Sequence, residues 1–113
     1  MDTGELKALV DRLQAPVLPP KLRAARLRYR FRLDGGQTLN GMLDRGRLSL
    51  EDFSEPPDCV VECASEELGA VFSGRHNLLT AFMRGDARLL GSLGSAKSLY
   101  TFLRYAQLEE AKV

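Results

Sequence analysis

Histidine occurs once in this chain, cysteine twice, and no apolar run approaches the roughly 18 residues of a membrane span. Each scarcity excludes something. One histidine and two cysteines without a C-x-x-C pair leave no zinc site to build. Cys59 and Cys63 lie in DCVVECA, which alternates like a strand and sets the thiols on one face about 13 Å apart at about 3.3 Å per residue. A disulfide between them is out of reach, and both are expected as small buried hydrophobes. Charge of one sign is lacking too: sixteen Lys and Arg against fifteen Asp and Glu give +1, so no whole-molecule field draws a polyanion, and nucleic acid is not expected as a partner. The opening MDTGELKALV is acidic where a secretory leader is basic. The expectation is a cytoplasmic protein whose 113 residues form one domain.

What is present is organised by periodicity. Leu6, Leu9, Val10 and Leu13 predict a short helix over 3–13, capped by Asp2 or Thr3. Three prolines between Pro16 and Pro20 predict an extended connector. From Leu27 the chain alternates strictly, with Leu27, Tyr29, Phe31 and Leu33 on one side and Arg28, Arg30 and Arg32 on the other. That is a strand with one buried face and one solvated face. Turns at Asp34-Gly35-Gly36 and Asp44-Arg45-Gly46 separate it from strands through Leu39–Leu43 and Leu48–Leu50; after Pro56-Pro57 comes the strand of Cys59, Val61 and Cys63. The front half therefore predicts an antiparallel meander.

The back half predicts helices. Ser65 is a candidate cap for a helix whose stripe is Leu68, Val71 and Phe72, ended by Gly74. Asn77 caps a shorter helix with Leu78, Ala81, Phe82 and Met83, closed by Gly85. Asp86–Leu90 is a short strand facing inward through Ala87 and Leu89, and 92–110 a final helix carrying Leu93, Ala96, Leu99, Tyr100, Phe102, Leu103 and Ala106.

Two local features invite chemistry. In GSLGSAKS, Gly91, Lys97 and Ser98 fall on the positions of a phosphate-binding G-x-x-x-x-G-K-[ST] loop, but Ala96 occupies the second glycine. Fifteen residues after Ser98 leave no room for the strand and Mg²⁺-assisting acid such a site needs. His76 has no Ser, Cys or carboxylate set beside it by a local motif, so it carries no catalytic assignment.

The ordered series Ser73-Gly74, Asn77, Ala81-Phe82-Met83, Gly85 through Leu90 and Gly91-Ser92 through Ala96, preceded by DCVVECA, resembles the sterol carrier protein type 2 family over about residues 22–105. Leu78 stands where that family usually has proline, and Met83 replaces its second aromatic. The resemblance implies an α/β (α+β) fold: a five-stranded, mostly antiparallel sheet, one face covered by helices enclosing an apolar cavity. It implies a lipid ligand and no cofactor or catalysis. Tyr29 and Phe31 of the first strand, Phe72, Phe82 and Met83 of the middle helices, Leu89 of the last strand, and Leu93, Ala96, Leu99, Tyr100, Phe102 and Leu103 of the last helix would line the cavity. The lipid would be a fatty acid, fatty acyl-CoA, phospholipid or isoprenoid, exchanged by transient membrane contact. The alternative is an accessory or interaction module of the same fold with a filled core. Peroxisomal members end in a Ser-Lys-Leu-like tripeptide; this chain ends Ala111-Lys112-Val113, which keeps the expected location cytoplasmic.

Overall fold

The computed structural model describes residues 2–13, 15 and 17–111, the stretch 107–111 by its backbone only. Met1, Gln14, Pro16, Lys112 and Val113 lie outside the described residues, so the first proline of the connector and the last two residues of the C-terminal tripeptide are not placed. Asp2 opens α1 (Thr3–Asp11) with a capping box: its carboxylate accepts from the Glu5 N–H at 2.8 Å, and the Glu5 carboxylate accepts from the Asp2 N–H at 3.3 Å. Leu6 and Val10 face inward and are buried.

The connector does not stay extended through Pro20. Pro20 instead begins a one-turn helix, α2 (Pro20–Ala24), at a position where its missing N–H costs nothing and its fixed φ suits the turn. Leu18 and Leu22 are buried on either side of that start.

Strands β1 (Arg26–Arg32), β2 (Thr38–Asp44) and β3 (Arg47–Leu50) form the expected meander. The next strand, β4 (Cys59–Cys63), departs from it. It lies beside β1 and parallel to it, giving the order β3-β2-β1-β4-β5 with β5 (Ala87–Gly91) antiparallel at the edge. A parallel pair needs a crossover rather than a hairpin, and the Pro56-Pro57 segment supplies one across the outer face. Glu55 approaches Arg28 at 3.5 Å, Arg30 stands over the Phe53 ring at 5.9 Å, and the Asp58 carboxylate accepts from the Arg28 N–H at 2.8 Å. The arginine stripe is therefore partly covered, and its third member, Arg32, pairs with Glu62 at 3.2 Å.

The helices α3 (Ser65–Phe72), α4 (Leu78–Met83) and α5 (Leu93–Ala111) complete the fold. Ser65 is not the cap of α3. The N-cap is Ala64, without a side-chain bond, and the Ser65 N–H donates to the Asp34 carboxylate at 2.9 Å from the turn after β1. That bond holds the Asp34 carboxyl below the usual aspartate value. A carboxylate depressed in the folded state stabilises the fold above its unfolded pKa and loses that contribution as pH falls through the folded value. Thermal melts should therefore show stability declining below the ordinary aspartate pKa of about 3.9, and Asp34→Asn should flatten that decline; an unchanged acid limb would remove Asp34 as the cap.

One interior is shared by all layers. Tyr29, Phe31, Leu43, Cys59 and Val61 from the sheet meet Leu6 and Val10 of α1, Leu68, Val71 and Phe72 of α3, and Leu99, Phe102, Leu103 and Ala106 of α5. Phe31 stacks on Tyr29 at 6.4 Å and meets Phe72 edge-on at 5.7 Å. The Tyr29 hydroxyl donates to the Ser95 carbonyl at 2.6 Å, tying the sheet to the first turn of α5, and burial pushes its phenol far up.

Candidate functional site

Gly91 ends β5 at φ +99°, where a Cβ would sit 2.8 Å from the Asp58 carbonyl oxygen, so only glycine fits the junction. Ser92 follows as the cap of α5, its hydroxyl accepting from the Ser95 N–H at 3.2 Å. Strand thus passes to helix within one residue. No loop is present to wrap a phosphate, which disposes of the nucleotide-like spacing. Lys97, in the second turn of α5, reaches an apolar groove instead.

That groove lies between α4, β5 and α5. Leu78, Leu79 and Phe82 line it from α4, Leu89 from β5, and Leu93, Ala96, Lys97 and Tyr100 from α5. Its volume is about 330 Å³, it is open to solvent along one side, and its wall is almost wholly carbon. Asn77 holds α4 in place by accepting from the Leu79 and Thr80 N–H groups at 2.8 and 3.2 Å. At the Tyr100 end, the phenol accepts from the Arg104 guanidinium at 3.1 Å; hydrogen bonds from Arg104 and Asn77 lower its pKa.

The twelve side chains named from the sequence fall into three places. Phe82, Leu89, Leu93, Ala96 and Tyr100 line the groove. Tyr29, Phe31, Phe72, Leu99, Phe102 and Leu103 are at most 3% exposed and pack in the core. Met83 is 76% exposed and is not part of the groove wall. Leu78 and Leu79 were absent from the sequence-based lining although both sit on α4; Leu79, following Leu78 directly, was the signal that this helix has an apolar side turned outward. Of the lining expected between sheet and helices, these six side chains pack in the core, and the apolar groove the described residues form lies at the β5 edge.

Two other places carry potentially reactive groups. His76 does have a carboxylate: Glu67 of α3 lies 2.8 Å from its Nδ1, nine residues back and so invisible as a local motif. The cleft there, about 260 Å³ and lined also by Arg75, Thr80, Arg84 and Asp86, holds no nucleophile bonded to the imidazole. Cys59 is buried and Cys63 half-buried; burial raises both thiols, Cys63 to about 11, which leaves them unreactive. Among the described residues no cluster of metal-ligating side chains occurs, and no helix is long and apolar enough to cross a membrane.

A mixed five-stranded sheet with helices over its core face is an α+β fold shared with sterol carrier protein structures. The chain belongs to the SCP-2 sterol transfer family, which it matches over residues 6–104. Solved structures of the same fold include the sterol carrier protein 2 of Aedes aegypti in complex with the C16 fatty acid palmitate, at 19% identity and TM-score 0.59, with 90% of this chain and 94% of that one covered. The ubiquinone synthesis protein UbiJ-SCP2 is similar at 16% identity and TM-score 0.57, with 88% and 78% covered. The sec-alkylsulfatase Pisa1 from Pseudomonas sp. matches at 19% identity and TM-score 0.63, covering 87% of this chain and 15% of that one. At these identities the likeness is one of fold. Among curated proteins none matches the sequence.

Proposed function

We propose that this protein is a non-enzymatic carrier that seats the hydrocarbon chain of a lipid in the α4–β5–α5 groove. The observation that carries the reading is the groove itself, with its carbon wall and the exposed ammonium of Lys97 at its side. Its volume sits near the lower end of the about 300–1,000 Å³ usual for ligand pockets. At roughly 30 Å³ per methylene, comparable to a water molecule in the liquid, it takes on the order of ten methylenes. At about 0.8 kcal/mol for each one fully buried, these supply at most roughly 8 kcal/mol before ordering costs, less along the open side. A longer chain leaves its remainder outside. Affinity therefore follows chain burial, and the ligands that suit it are fatty acids, fatty acyl-CoA, phospholipids or isoprenoids, carried in the cytoplasm and exchanged at membranes.

Titration with a fluorescent sixteen-carbon fatty acid tests the reading. Saturable one-to-one binding at micromolar concentration or below is expected, with no binding of Mg-ATP. Lys97→Ala should weaken fatty acid binding by less than about 1 kcal/mol, the scale of an exposed charge contact. Folded protein that ignores the fatty acid would contradict the carrier function. The close burial of Tyr29, Phe31 and Phe72 favours a second reading, an accessory module of the same fold, and that is what a null titration would leave standing.

A further inference from the structure

The groove has one polar end. Leu93, Lys97, Tyr100 and Arg104 stand at i, i+4, i+7 and i+11 of α5, one stripe of the helix that spans about 16 Å at about 1.5 Å per residue. The stripe starts apolar, with Leu93 sharing the groove wall with Leu79 and Phe82 of α4. It ends otherwise. The Tyr100 hydroxyl accepts from the Arg104 guanidinium at 3.1 Å, the guanidinium lies 5.9 Å from the centre of the Tyr100 ring, and the Asn77 side chain at the start of α4 bonds the same phenol oxygen. An arginine and a tyrosine four residues apart are an ordinary helix-surface pair, but this pair stands where a wall of carbon stops.

Positive charge here has no counter-charge. α4, β5 and α5 from Leu93 to Tyr105 contain no acidic residue. Asp86, the one acid between them, faces Arg84 at 3.9 Å in the His76–Glu67 cleft across α4, and Arg88 pairs with Glu62 on the other face of β5. Lys97 and Arg104 are exposed and have no carboxylate partner among the described residues. A guanidinium carries five N–H donors and Tyr100 takes one, so Arg104 keeps donors for a second acceptor. Its fork suits the paired oxygens of a carboxylate or phosphate, which the ammonium of Lys97, one turn back, does not. With Arg104 and Asn77 both donating to the phenol oxygen, the phenol's own proton is left to donate outward.

We propose that the Tyr100–Arg104 end of the groove is a headgroup site selecting a single-chain lipid that ends in an anion, a carboxylate or a phosphate. Arg104 holds two oxygens of the anion, the Tyr100 hydroxyl donates to it, and the chain lies along the groove toward Leu93. The inference rests on the carrier reading and narrows its ligand. A groove that takes on the order of ten methylenes holds one chain, so a diacyl phospholipid would leave its second chain in water. A fatty acyl-CoA presents an uncharged thioester at this position, and an isoprenoid alcohol has no anion to offer.

Calorimetric titration with dodecanoate, dodecyl phosphate and dodecanol, equal in chain and different in head, tests this. At least one anion should bind about tenfold tighter than the alcohol, the scale of hydrogen bonds to a charged group discounted for exposure. The tighter anion identifies the head. Arg104→Gln should weaken that anion about tenfold by the same reasoning and leave dodecanol unchanged, while Arg104→Lys, which keeps the charge without the fork, should retain part of the preference. Tyr100→Phe should weaken the anion about threefold, a typical net hydrogen bond, and the alcohol not at all. Arg88→Gln, on the far face of β5, should change none of the three. Dodecanol binding as tightly as both anions would overturn the headgroup site while the carrier reading stood. So would an Arg104→Gln variant that loses alcohol and anion alike, which would mean that Arg104 only braces the wall, or a preference that survives Arg104→Gln and vanishes in Lys97→Ala. Folded protein that binds none of the three would instead contradict the carrier reading itself, and the headgroup site with it.

Discussion

Phe72→Ala is expected to cost about 3–5 kcal/mol of stability and to leave fatty acid affinity in the folded protein unchanged. Phe72 is 1% exposed, and its ring meets Phe31 edge-on at 5.7 Å with the planes 84° apart. Phe31 stacks in turn on Tyr29, whose hydroxyl is bonded to α5. Truncation removes an aromatic from a packed interior that cannot collapse without breaking that chain of contacts. Urea denaturation measures the cost. A small loss of stability with a marked change in preferred acyl-chain length would instead mean that Phe72 lines a lipid tunnel between sheet and helices.

Ala96→Phe is expected to do the reverse. Ala96 lies at the groove wall with 7% exposure, one turn along α5 from the Ser92 cap, and its small side chain leaves the space between Phe82, Leu89 and Tyr100 open. A phenyl group there would occupy much of the about 330 Å³ that the ligand needs. Fatty acid binding should fall at least tenfold. The penalty in stability should stay within the about 1–3 kcal/mol of overpacking, because the ring has an open groove to enter. Titration and denaturation of the same sample separate the two effects; unaltered binding in a folded variant would place the ligand elsewhere.

The same residues show what the sequence could and could not say. The alternation of β1 is a local property, so Tyr29 and Phe31 could be assigned inward and the arginines outward without any tertiary information. Asn77 and the glycine ends of the helices were legible for the same reason. The parallel placement of β4 was not, because a crossover over the outer face leaves only the Pro56-Pro57 break in the sequence. Nor was the cap of α3, which Asp34 supplies from 31 residues away. The site divides along this line. Phe72 and Phe82 are both aromatics at helical spacing, yet one is 1% and the other 44% exposed. Periodicity identifies a helix face as apolar; whether that face meets a core or borders a groove depends on how α4 and α5 settle against β5, and no local pattern encodes it.

Native mass spectrometry of freshly purified protein, with and without added palmitate and alongside the Ala96→Phe variant, tests the central claim most directly. The groove at the β5 edge predicts one lipid per chain, displaced by or exchanged for palmitate, and a variant that stays bare under the same conditions. A wild-type chain that remains bare in excess palmitate, or a variant that carries lipid as readily as the wild type, would contradict it.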